Sequence, residues 1–307
     1  VRFDAQHTPQ SVAQSLSSLG EVQRVDLNRK IKRAYSGNAK PLTEQHIKYL
    51  AATRASSVVN DPLYGLQWYL NNDGTMFTSS EGIKSIAGAD IRAEGAWERS
   101  TGEESVIVAV LDEGVFLEHP DLKNNIWVNE KEVCNSERDN DGNGYKGDYN
   151  GYNFAAKQGP ITWNDVYDYG HGTHVAGVIA GNFLPHIESE DYSGEFVGVA
   201  PGAQVVPMKI FSDVEASAHT SWILAALEDC VTIGVDVINM SLGSGCGFTR
   251  EVDKKLTNEI YDSIREAGIS LITAAGNDYS ATMSSEKNGN NPLTSNPDSG
   301  PVGSPAT

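Results

Sequence analysis

Positive charge is scarce in this chain: 23 lysines and arginines stand against 41 aspartates and glutamates, a net charge of −18. A surface this acidic repels phosphate backbones and anionic bilayers, which argues against nucleic acid as a partner. Long apolar runs are also missing. The longest, such as Val106–Leu111, are strand-length and fall well short of the roughly 20 residues that cross a bilayer, so no membrane span is expected. Cysteine is nearly absent, and three (Cys134, Cys230, Cys246) cannot all pair within one chain or build a disulfide framework. Cys230 sits in an apolar helical pattern and reads as a small core residue. For Cys134 and Cys246, pairing with each other and pairing with another segment both remain open. The chain starts Val1-Arg2-Phe3, without an initiator methionine or a basic-then-apolar leader, and reads as a processed or excised piece. What is there is ordinary for a globular protein: 307 residues, 39% hydrophobic and 21% charged, long enough for a sizeable core.

From Ala89 onward, apolar strand candidates alternate with helix candidates. The strands are Val106–Leu111, Val205–Ile210, Val235–Met240 and Ile269–Ala275; the helices are His171–Gly181, Ser217–Ile233 and Arg250–Ala267. Continuous apolar strands separated by helices predict a doubly wound α/β domain with a mostly parallel sheet covered on both faces. Function in such sheets gathers beyond the carboxyl ends of the strands, so the residues following Leu111, Met240 and Ala275 are the ones to inspect. Ahead of this domain, residues 1–33 read as a small α+β segment with a helix from Pro9 to Leu19 and a strand from Val22 to Ile31. Residues 34–60 read as a linker.

The first strand runs into Asp112-Glu113-Gly114, which aims a carboxylate out of apolar surroundings. A lone Asp there is more often a turn or capping residue, but a second element changes the weighing. Gly170-His171-Gly172-Thr173-His174-Val175-Ala176-Gly177 opens a helix with a histidine in its first turn and small residues that let it lie close to a sheet. A base whose one ring nitrogen faces substrate needs a buried carboxylate on the other, and Asp112 with His171 supplies that pair. Asn277, after the strand ending Ala274-Ala275-Gly276, can donate to a developing oxyanion. Ser241, Leu242 and Gly243 end a strand along which an extended peptide can pair. His174 lies three residues from His171, which breaks the two-histidine zinc pattern with its spacing of four.

At these residues the chain resembles the subtilisin-like serine proteases. The matching stretches are Val108–Gly114, His119-Pro120-Asp121-Leu122, His171–Gly181, Gly198-Val199-Ala200-Pro201, Asn239–Gly243 and Ala274–Asn277, and six in order make the resemblance specific. Asp before His also follows subtilisin's Asp, His, Ser order. The resemblance covers residues 61–307 and implies a peptidase domain acting on peptide or protein substrates. Asp112 would orient, His171 would act as general base and acid, Asn277 would donate to the oxyanion, and Ser241–Gly243 would hold substrate. It further implies a secreted or cell-envelope location. The family's nucleophile turn, of Gly-Thr-Ser-Met type, does not occur after Asn277, and Ser304 is followed by proline. The domain is therefore expected to be incomplete at its C-terminus, with the serine on a C-terminal remainder of the same protein. Residues 1–33 resemble the end of the family's inhibitory propeptide, and Lys30–Arg33 reads either as a processing site or as a solvated strand end. The alternative to the enzyme is an inactive pseudoprotease serving as a binding or signalling module, against which the joint retention of Asp112, His171 and Asn277 argues.

Calcium is the expected cofactor. Asp139, Asp141 and Asn143 stand at the first, third and fifth positions of a loop with Gly144 at the sixth, like the opening of an EF-hand, and the Tyr145 carbonyl would join them. The twelfth position is Asn150 and not Glu, so Asp148 is expected to close the site. Asp121 and Gln67 match positions of a second calcium site in the family.

Overall fold

Along the chain, the computed structural model contains helix α1 (Pro9–Ser17), strand β1 (Lys30–Arg33), a 3-10 turn (Tyr64–Leu66), helix α2 (Ala93–Trp97), strands β2 (Ile107–Asp112) and β3 (Tyr152–Asn153), and helix α3 (His171–Ala180). Strands β4 (Gln204–Lys209) and β5 (Ala218–His219), helix α4 (Thr220–Ile233), strands β6 (Val237–Met240) and β7 (Leu242–Gly243), helix α5 (Lys255–Glu266) and strand β8 (Ser270–Thr273) follow. The structure describes residues 6–22, 25, 28, 30–33, 64–75, 85–159, 163, 168–182, 196–215, 217–243 and 255–275. The expected linker, Cys246, Asn277 and Ser304 lie outside them.

Five strands form a parallel sheet in the order β3-β4-β2-β6-β8. Successive side chains of a strand face opposite sides, and β2 divides its residues accordingly. Ala109 and Leu111 join a core with α4 and α5 residues such as Leu227 and Ile264, while Val110 packs with Ala176 and Ala180 of α3. Helices therefore cover both faces, as a doubly wound α/β fold requires, and β2 is central with neighbours on both sides. Its run extends one residue beyond the sequence reading, so Asp112 is the last strand residue and its backbone is fixed by pairing with Lys209.

A second sheet, β5-β1-β7, is antiparallel. Its existence moves the start of α4 from Ser217 to Thr220, because Ala218 and His219 pair with Ile31 and Lys30 instead of entering the helix. A partner some 190 residues away leaves no trace in local periodicity. The α1 helix agrees with expectation and is capped by Thr8, whereas the strand read over Val22–Ile31 is present, among the described residues, only as Lys30–Arg33.

Candidate active site

The end of β2 and the start of α3 meet at the carboxyl edge of the sheet. His171 Nδ1 lies 2.9 Å from both carboxylate oxygens of Asp112. A carboxylate only accepts, so Nδ1 carries the proton and Nε2 is left as the basic nitrogen. Asp112 is buried and His171 keeps a partly exposed edge. The pair is held by backbone as well as side chains. Glu113, also buried, accepts from the His171 backbone N–H at 2.7 Å, satisfying one of the open donors at the first turn of α3, and its own N–H donates to Asp112 Oδ1 at 2.8 Å. Close approach depends on Gly172: a Cβ there would lie 2.3 Å from the Gly114 carbonyl oxygen and 3.1 Å from the Asp112 Cβ.

Beside this pair lies a buried ion cluster that sequence reading missed. Lys209, the last residue of β4, has no solvent exposure; its Nζ lies 2.5 Å from Asp168 Oδ1 and 2.9 Å from Asp213 Oδ1, and it donates to the Glu113 carbonyl. Asp168 stands three residues before His171, so the lysine ties both the β2 exit and the α3 entrance to β4. A lysine directly after the apolar run Val205–Met208 was the available signal.

Leu242 and Gly243, the residues expected to pair with substrate, already have a partner. Arg33 and Lys32 of β1 lie opposite them, and Ile31 and Lys30 lie opposite Ala218 and His219. The groove between β5 and β7 is thus filled by the chain's own N-terminal strand. Ile31 packs against the main core, Lys30 pairs with Glu215, and Asn28 Oδ1 accepts from the Ser221 N–H in the first turn of α4. Ser241 accepts from the Asn239 side-chain amide at 3.0 Å. His174 is exposed, Cys230 is buried as expected, and Cys134 is a free, exposed thiol.

The acidic loop is held out by positive φ at Gly144 (+96°), and Asp139 accepts from the N–H groups of Gly142 and Gly144. Tyr145 anchors the loop by packing its ring on Tyr152 and Phe154. Asp139 and Asp141 come together with Glu132, a residue the sequence reading did not single out; each offers an oxygen within 4.8 Å of the others. Asp148 and Asn143, by contrast, engage each other, with Asn143 Nδ2 donating to Asp148 Oδ2 at 2.8 Å. Burial, together with the charges of Asp141 and Glu132, raises the Asp148 pKa against the opposing hydrogen bond from Asn143. Gln67 and Asp121 are both buried at the two ends of segment 183–195: Gln67 Nε2 donates to the Val197 carbonyl, and the Asp121 carbonyl accepts from the Asn182 N–H. Gln67 Oε1, Glu132 Oε2 and Asp148 Oδ1 are buried without hydrogen-bond partners, and a hard oxygen set of this kind fits calcium.

The sequence pattern of the Subtilase family matches residues 103–307. The PI-type proteinase of Lactococcus lactis subsp. cremoris is 34% identical over 194 residues, 60% of this chain and 10% of that protein. The major intracellular serine protease of Bacillus subtilis (strain 168) is 32% identical over 213 residues, 68% of this chain and 54% of that protein. The chain thus spans from a tenth to about half the length of these relatives. Among solved structures, fervidolysin from Fervidobacterium pennivorans, a keratinolytic enzyme related to subtilisin, is similar with a TM-score of 0.50 at 24% identity. That similarity covers 81% of this chain and 30% of that one and speaks for the fold.

Proposed function

This chain belongs to the subtilase family, and we propose that it supplies the orienting acid and the general base of a serine endopeptidase, made as a zymogen whose strand β1 blocks its own substrate groove. The Asp112–His171 contact at the carboxyl edge of the sheet carries the reading. In it, Asp112 fixes the imidazole tautomer, and His171 Nε2 takes the proton of an attacking serine and returns it to the leaving amine. The serine comes from a segment outside these 307 residues, a reading supported by the lack of a Gly-Thr-Ser turn after Asn277. Asn277 donates to the oxyanion, and Ser241, Leu242 and Gly243 pair with the substrate backbone once β1 has left. Calcium serves as a structural ion, held at the Asp139–Asp148 loop and near Gln67 and Asp121. A secreted or cell-envelope location belongs to the same proposal and is tested by fractionation, since one relative is named an intracellular protease.

The test is hydrolysis of a fluorogenic peptide by the full-length protein. His171→Ala is expected to abolish turnover. Asn277→Ala should lower kcat by about a hundredfold or more with little change in KM, the size of loss typical for removal of one oxyanion donor. Undiminished turnover in either variant refutes the role given to that residue.

A further inference from the structure

The EF-hand likeness of residues 139–150 breaks at its last position. Where a bidentate glutamate would close an EF-hand, Asn150 turns its amide to the Trp127 carbonyl at 2.9 Å. Asp148 is engaged through Oδ2, which accepts from the amides of Asn143 and Asn129 and turns the carboxylate towards them, leaving only Oδ1 without a partner. The carboxylate that reaches the loop comes from the opposite direction in sequence. Glu132 lies seven residues before Asp139 and is only 5% exposed. Its Oε1 accepts from the backbone N–H of Asn140 and of Asp141, which holds the side chain across the first turn of the loop. The other oxygen, Oε2, is buried with no hydrogen-bond partner. A buried carboxylate with one oxygen unpartnered, clustered with two more carboxylates, is unfavourable unless a cation joins them.

We propose that Glu132 closes a divalent-cation site with Asp139 and Asp141, in the place that the twelfth-position glutamate holds in an EF-hand. All donors are hard oxygens and the charge is high, which selects calcium over zinc or copper. The inference rests on the reading that this loop binds calcium and adds the residue that completes it. Because Glu132 sits outside the loop, binding would tie the loop to the chain that precedes it and not only fold the loop on itself.

Calorimetric titration of the chelator-stripped full-length protein with calcium tests this. Glu132→Gln keeps an oxygen for the two N–H groups and removes the charge, so it is expected to melt in chelator no lower than the wild type while binding calcium at the loop at least tenfold more weakly. Asp141→Asn should weaken the same phase. If Asp141→Asn removes the phase and Glu132→Gln leaves it unchanged, Glu132 is not a ligand and only the loop reading survives. If the isotherms of Asp139→Asn and Asp141→Asn superimpose on the wild type, the loop reading itself fails. A calcium-soaked crystal of the wild type gives an answer that needs no variant to fold: the ion is expected about 2.3–2.6 Å from a Glu132 oxygen, and an ion in the loop beyond that reach overturns the proposal.

Discussion

Lys209 brings a full positive charge into an apolar sheet, which is stable only because two carboxylates and a carbonyl meet it there. Removing one partner of a buried ion pair leaves the other uncompensated, a change that usually destabilises by about 3–5 kcal/mol. Lys209→Met is therefore expected to lower unfolding stability by about that amount in urea melts, and Lys209→Met with Asp168→Asn should recover part of it. A single-variant loss below about 1 kcal/mol would mean that the cluster is not what holds the β2 exit. Asp229 on α4 poses the reverse problem. It is buried with both oxygens lacking hydrogen-bond partners, and burial first, then the charges of Asp148 and Asp141, raise its pKa to about 7. A raised pKa means that the folded state holds the proton more tightly than the unfolded one. Its contribution is therefore fully present below the usual carboxylate range, near pH 4, and is lost as pH rises through 7, at up to about 1.4 kcal/mol per pH unit. In chelator, wild-type stability should fall across this window and Asp229→Asn should flatten the slope; parallel curves would sink the assignment.

At the scale of elements, β1 behaves as a peptide lying in a groove: antiparallel on both sides, with Ile31 packed inward and Lys30 turned out to Glu215. Main-chain pairing of this kind gives affinity, and the inward side chain gives selectivity. If the proposed peptidase activity holds, a synthetic peptide of residues 25–33 is expected to inhibit peptide hydrolysis by the protein freed of its N-terminal segment competitively. Burial of an isoleucine contributes about 1.5–3 kcal/mol in full, so Ile31→Asp in that peptide should weaken inhibition about tenfold or more. Noncompetitive inhibition, or equal potency of the two peptides, would remove β1 from the groove. Helix α3 complements this element, since its small residues bring His171 down onto the end of β2.

For the whole molecule, the acidic balance and the parallel sheet act together. Net charge of −18 disfavours compaction by self-repulsion, and the buried carboxylates around the acidic loop concentrate that repulsion in one region. No helix among the described residues is long and apolar enough to cross a membrane. Labelling the full-length protein with a serine-directed fluorophosphonate is expected to place the label outside residues 1–307, as read by peptide mass. Label on Ser304 would overturn that placement of the nucleophile.

Periodicity and residue order were enough to give the α/β class, the apolar strand running into Asp112, the helix opening on His171 and the family; that this strand is central and that Asp112 belongs to it came from the pairing. Each is written in adjacent residues: an apolar run with a carboxylate at its end, or a histidine followed by glycines and alanines. The strand Val237–Met240 was legible for the same reason, while the two-residue strand Ala218–His219 was not, because its ladder partner β1 lies far away in the sequence. The Lys209–Asp168 pair spans 41 residues and the Lys30–Glu215 pair 185. Glu132 joins its cluster because the turn that follows it folds back over its own carboxylate. Local sequence sets the period and the caps of an element, but which side chains share a buried space depends on how the loops return, and only the tertiary structure decides that.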